Sequence, residues 1–126
     1  MSSLVAVYGT LKKGYGNHRV ALMDGAEFVG TAKSNELLSM YNGSFPRVKR
    51  DEGVDVEISV EIYQIPHEPV NMDILEGHPY HFKREEVLFV MDETEEAVNA
   101  SLYLYQHEVR EKDRIPSGVW ERSKRE

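Results

Sequence analysis

Between Val54 and Ile62 the chain sets an apolar side chain at every second position: Val54, Val56, Ile58, Val60 and Ile62. The positions between them are mostly acidic. Successive side chains of an extended strand point to opposite faces, so this pattern predicts a half-buried strand with one face for a core and one for water. A lone strand cannot satisfy its backbone, so the rest of the chain has to supply neighbours. Leu4 to Tyr8, short, apolar and rich in valine, reads as a buried strand. "AEFVGTAKS", "NELLSMYNG", "REEVLFVM" and "ASLYLYQ" read as further strands. Asn42-Gly43 closes the second of these, and the acidic turn around Asp92 to Glu96 separates the last two.

Helical signals are few. "NHRVALMDGA" predicts a short helix or a structured loop that ends at the Asp24-Gly25 turn. "PHEPVNMDILEGHP" predicts a short helix with Pro69 in its first turn, Gly77 at its C-terminal cap and Pro79 barring resumption. "SFPRVKRDEG" reads as a loop, and Arg47 to Arg50 within it as a solvated basic patch. These signals sum to one α+β domain over residues 1–126, with five or six strands curled toward a barrel. From about residue 108 the chain becomes a polar tail in which Ile115, Val119 and Trp120 are the apolar exceptions.

Composition narrows the functional classes. A formal net charge of −7 disfavours general nucleic-acid binding, which depends on neutralising phosphates. With no cysteine there is no disulfide frame, thiol nucleophile or thiolate metal site, and the chain suits a reducing compartment such as the cytoplasm. No stretch has the length of a membrane span, and "MSSLVAVYG" lacks the form of a signal peptide, so the sequons at Asn42 and Asn99 read as chance matches. A monomer is the default expectation.

Residue type and spacing raise three kinds of site. "GTLKKGYGNH" is glycine-rich, but Tyr15 stands where a phosphate loop requires lysine, and Gly14-Tyr15-Gly16 does not continue as a dinucleotide fingerprint. His78 and His81 are three apart, but Gly77 and Pro79 break the helix that would align them as metal ligands. Glu76 falls in the last turn of the predicted helix, where the negative end of the helix dipole disfavours a carboxylate. If Met72 and Leu75 face the core, desolvation adds to that effect and raises the pKa into the range of a general acid/base. On residue grounds alone, an exposed glutamate on a short helix remains the better explanation of the position.

Two separated motifs carry a resemblance. "YGTLKKGYGNHRV" resembles the N-terminal signature of the γ-glutamylcyclotransferase superfamily, most closely its γ-glutamylamine cyclotransferase branch. "MDILEGHPYHFKR" resembles the segment of that family in which Asp73, Leu75, Glu76, Gly77, Pro79 and Arg84 match as they stand. Weaker matches at Phe45, "VEIYQI", "ASLYLY" and "SGVW" follow in family order, so the likeness spans about residues 4 to 120.

The resemblance implies a small mixed β-barrel of about five or six strands with short flanking helices. It implies cleavage of a γ-glutamyl amide by the substrate's own α-amino group, with release of 5-oxoproline and an amine such as lysine from γ-glutamyl-ε-lysine, and no cofactor or metal. Tyr8, Gly9, Thr10 and Leu11 would hold the glutamyl part, Glu76 would be the catalytic acid/base, and Tyr103 a pocket residue. Alternatives are another γ-glutamyl amino acid as substrate, or a γ-glutamyl-binding module without turnover. Phe82, Val60 and Ser101 depart from the family pattern, which commonly has tyrosine, glycine and an aromatic residue there.

Overall fold

The alternating stretch becomes one stave of a closed barrel. The structure, a computed structural model, describes residues 3–9, 18–35, 38–41, 47–50 and 57–115. In chain order its elements are β1 (Ser3–Val7), α1 (His18–Met23), β2 (Glu27–Ser34), β3 (Ser39–Tyr41), β4 (Arg47–Lys49), β5 (Ser59–Ile65), α2 (Val70–Glu76), β6 (Phe82–Met91) and β7 (Ala97–Tyr105), with a 3-10 turn at Glu111–Asp113. The barrel closes in the order β1-β5-β2-β6-β7. Its neighbours are antiparallel except at the seam, where β1 runs parallel to β7 with Val5 opposite Ser101. This is the expected small mixed barrel with short flanking helices.

Strand alternation divides the core in two. Ala6, Ala32, Val60, Ile62, Phe89, Leu102 and Leu104 turn into the barrel. Val5, Val7, Tyr63, Ile65 and Tyr103 belong to a second cluster with Ala21 of α1 and Met72 of α2. β1 therefore has a hydrophobic partner on both faces, which explains why its sequence shows no alternation. The helices lie over the second cluster, and α2 carries Glu76 to the end of β1.

Some sequence expectations change. Arg47–Lys49 is no loop: it pairs antiparallel with β3, Met40 opposite Val48. Val48 is fully buried against the barrel core, an anchor concealed in the sequence by its basic neighbours. The strand predicted from Val54 is assigned only from Ser59, and Val54 and Val56 lie outside the described residues. Just before it, the Ile58 N–H donates to the buried Ser34 hydroxyl at 2.9 Å, and the Ser34 N–H donates to the Ile58 carbonyl at 3.0 Å.

The start of the expected tail is attached, because the Ile115 N–H donates to the Met40 carbonyl at 2.8 Å. Asn42-Gly43, Phe45, Val119 and Trp120 lie outside the described residues. Among the described residues no helix is long and apolar enough to cross a membrane.

Candidate active site

Helix α2 is only seven residues long, too short to be stable by itself, so its ends must be fixed by tertiary contacts. Pro69 stands at the N-cap and supplies no capping side chain. Asp24 does this from 47 residues away. One of its oxygens accepts the backbone N–H of Asn71 at 3.0 Å and that residue's side-chain amide at 2.9 Å. The other accepts the Met72 N–H at 2.9 Å. At the far end Gly77 takes a left-handed conformation with φ +67°. Its N–H donates to the Ile74 carbonyl and the His78 N–H to the Asp73 carbonyl, which closes the helix as expected for a glycine cap. A Cβ at Gly77 would come within 2.8 Å of the His81 ring, so both the backbone and the packing favour glycine.

Glu76 is the last helical residue. Burial raises its pKa from the ordinary carboxylate range to about 7. Among the described residues, no N–H or O–H donor reaches its carboxylate to oppose that effect. Desolvation was expected to follow from Met72 and Leu75 facing the core. Met72 is buried, but Leu75 is 42% exposed, because seven residues of helix turn only one narrow stripe inward.

Tyr8 lies at the end of β1, buried, and donates its hydroxyl to the Tyr103 carbonyl at 2.6 Å. Its pKa is raised first by burial and then by the negative charge of Glu76, with a backbone hydrogen bond at Val48 acting the other way. Gly9, directly after it, is buried too. Tyr103 is buried on β7 and donates its own hydroxyl to Asp73 Oδ1 at 2.6 Å. Burial raises its pKa most strongly, the bond to Asp73 adds to this, and Glu76 contributes a smaller upward push. Tyr8, Tyr103 and Glu76 are therefore electrostatic neighbours drawn from three separate elements.

Behind them stands an ion pair that two of the sequence matches, Asp73 and Arg84, form with each other. Arg84 Nε donates to Asp73 Oδ1 at 2.9 Å and Nη2 to Oδ2 at 3.1 Å, a two-pronged contact. The bond to Asp73 raises the Arg84 pKa further. Nη2 also lies 2.9 Å from Glu68 Oε2. The Arg84 backbone N–H donates to His78 Nδ1 at 3.0 Å.

Of the residues expected at the site, the structure thus brings together Tyr8, Gly9, Glu76 and Tyr103. Thr10 and Leu11, with Lys12 and Lys13, lie outside the described residues. Sequence reasoning treated Asp24 as no more than a turn residue. Nothing in its local spacing points to a helix so far along the chain. Among the departures from the family pattern, Phe82 is buried with its ring 5.2 Å from that of Tyr105, and Val60 lies in the barrel core opposite Ala32. Tyr80, two residues before Phe82, is 80% exposed.

Comparison with known proteins matches the chain to a family. Residues 5–122 match the family described as "Gamma-glutamyl cyclotransferase, AIG2-like". A protein of Methanocaldococcus jannaschii named "Putative gamma-glutamylcyclotransferase" is 35% identical over 102 residues, covering 80% of this chain and 82% of its own. A Vibrio cholerae protein with the same name is 30% identical over 122 residues, covering 95% and 96%. The fold is also that of the crystal structure of an AIG2-like protein from mouse, with a TM-score of 0.79 at 21% identity over 95% of this chain and 88% of that one. The chain belongs to the gamma-glutamyl cyclotransferase, AIG2-like family.

Proposed function

We propose that the protein is a cofactor-independent cyclotransferase acting on γ-glutamyl amides, with γ-glutamyl-ε-lysine as the first substrate to test. The observation that carries this reading is the Glu76 carboxyl, buried beside Tyr8 with its pKa raised to about 7, in a chain of this family. A γ-glutamyl compound holds its α-amino group as an ammonium near neutral pH. Glu76 takes one proton from it. The freed amine nitrogen attacks the γ-carbonyl carbon and closes the five-membered ring, and the bond from that carbon to the leaving nitrogen breaks. The protonated carboxyl delivers its proton to the departing nitrogen as that bond breaks. The ring nitrogen's second proton then passes by way of the same carboxylate to the released amine, which leaves as an ammonium, so one group with a pKa near the working pH serves these transfers. Ring closure moves only protons and one carbon–nitrogen bond, so the reaction as proposed requires no redox or group-carrying cofactor.

In this reading Tyr8, Gly9, Thr10 and Leu11 hold the glutamyl part. Gly9 lets the substrate approach the backbone, whose N–H groups suit an α-carboxylate. Tyr103 borders the same site and fixes Tyr8 through its carbonyl. Orientation of this kind contributes up to about 7–11 kcal/mol in favourable intramolecular reactions, part of which the tethered substrate already has. The protein is proposed to work as a cytoplasmic monomer.

Incubation with γ-glutamyl-ε-lysine, read by mass spectrometry for 5-oxoproline and free lysine, tests the proposal beside a folded Glu76→Gln control. Equal release of both products, lost in the control, is the expected result. Substantial turnover by the Gln variant would remove Glu76 from the mechanism. Release only from γ-glutamyl amino acids would move the substrate assignment. Thermal stabilisation by γ-glutamyl ligands with no product from any would instead indicate a binding module.

A further inference from the structure

Tyr103 does more than border the site. Its two polar ends are used in opposite directions: the carbonyl accepts the Tyr8 hydroxyl at 2.6 Å, and its own hydroxyl donates to Asp73 Oδ1 at 2.6 Å. The first contact ties down the residue that opens the loop after β1. The second ties down the helix that carries Glu76. Asp73 lies three residues before Glu76, on the neighbouring turn of α2, and both its oxygens also accept from the Arg84 fork of β6. One residue of β7 therefore joins both halves of the site, and Arg84 holds the acidic group that it grips.

We propose that Tyr103, Asp73 and Arg84 form a clamp that seats the last turn of α2 on the barrel and so sets the position of Glu76 against Tyr8. Tyr103 and Arg84 are then positioning residues for the proton-transferring carboxyl. This rests on the reading of Glu76 as the acid/base. The clamp is built for precision: a planar guanidinium engaging both carboxylate oxygens fixes direction as well as distance, and the buried phenol fixes the carboxylate from a third side. Asp24 anchors the other end of the helix, and the clamp adds a side-chain hold to the end that presents Glu76.

Among the described residues, the groups that bear on Glu76 are Tyr8 from the end of β1 and Tyr103 from β7. Behind Tyr103 are Asp73 on the same helix, Arg84 on β6 and Glu68 before the helix. Burial is the main influence on the Glu76 carboxyl, so loosening the clamp acts by letting water reach it.

Titration of the Glu76 carboxyl by 13C NMR, in the wild type and in Tyr103→Phe, tests the clamp without any substrate. The phenylalanine keeps the ring packing and the carbonyl that holds Tyr8, and removes only the bond to Asp73. The expected result is a Glu76 midpoint lowered by about half to one pH unit toward the ordinary carboxylate value. The acid limb of kcat/KM should move with it, and kcat should fall about 5- to 50-fold with KM nearly unchanged. An unchanged midpoint and unchanged acid limb, with only stability reduced, would overturn the proposal and leave the contact purely structural.

Should Tyr103→Phe fail to fold, Arg84→Lys retains the charge but loses the fork. It should shift the midpoint in the same direction by a smaller amount, and an unshifted midpoint there would overturn the proposal equally. If Glu76→Gln proves active, the acid/base reading fails on its own, while the NMR titration still reports whether the clamp positions the carboxyl.

Discussion

Helix α2 has a carboxylate at each end, and the two have opposite surroundings. Asp24, at the N-terminal end, is the more deeply buried, with 1% of its surface exposed. Glu76, at the C-terminal end, is only half-buried as a residue. Yet Asp24 has three N–H donors on its two oxygens, whereas among the described residues Glu76 has none. A buried acid surrounded by donors becomes a brace. A buried acid without them keeps a pKa near 7 and can exchange protons. Depth of burial alone would have ranked the two in the wrong order as reactive groups.

The largest effect should come from breaking the brace. Asp24→Ala leaves the Asn71 and Met72 N–H groups without an acceptor at the start of a helix too short to hold itself, and should cost on the order of 3–5 kcal/mol. Urea unfolding measures it. A loss below about 1 kcal/mol would mean that water or a neighbouring group replaces the cap, and the contrast between the two acids would rest on Glu76 alone.

This contrast also marks how far the sequence could be read. Periodicity located β5 and the apolar run β1, and punctuation located α2, because Gly77 and Pro79 act within a few residues of where they stand. Glu76 stood out for the same local reason. Asp24 did not, since its partners lie 47 residues on and only the folded chain brings them near. The Arg84–Asp73 pair was present as two matched letters, but their mutual contact and the Tyr103 hydroxyl between β7 and α2 are products of packing. β4 was missed because a three-residue strand gives too short a period to detect, and Val48 is its sole buried residue.

The next effect has the opposite sign. Glu76 has a folded pKa of about 7, above its value in an unfolded chain, so the folded state binds more protons between about pH 4 and 7. The associated stability is fully present below about pH 4 and is lost as pH rises through 7. Glu76→Gln removes the titration. Its unfolding free energy should match that of the wild type near pH 4 and exceed it at pH 8 by up to about 3 kcal/mol. Parallel curves across that range would show that the carboxyl carries no burial penalty. Neutralising Asp24 and neutralising Glu76 should therefore move stability in opposite directions, which is expected if one was placed for the fold and the other for chemistry.

The smallest effect belongs to a third acid, at the opposite end of the barrel. Asp92, in the β6–β7 turn, lies 3.1 Å from Lys33 Nζ, and the two side chains are 36% and 48% exposed. Partial burial pushes its pKa up, but hydrogen bonds from Thr31 and Lys33, with the charge of Lys33, outweigh this and leave it lowered. A lowered folded pKa gives stability that is present above the unfolded value of about 4 and is lost as pH falls through the folded one. Asp92→Asn should therefore cost less than about 1 kcal/mol at pH 7 because solvent screens the pair, less still in 1 M salt, and almost nothing near pH 2. Its pH slope lies in the acid range, whereas that of Glu76 lies between about pH 4 and 7, so the two should appear separately in one set of unfolding curves. A salt-insensitive loss of more than 2 kcal/mol at Asp92 would place it with Asp24 among the braces, and donors alone would then determine what a carboxylate contributes, whatever its exposure.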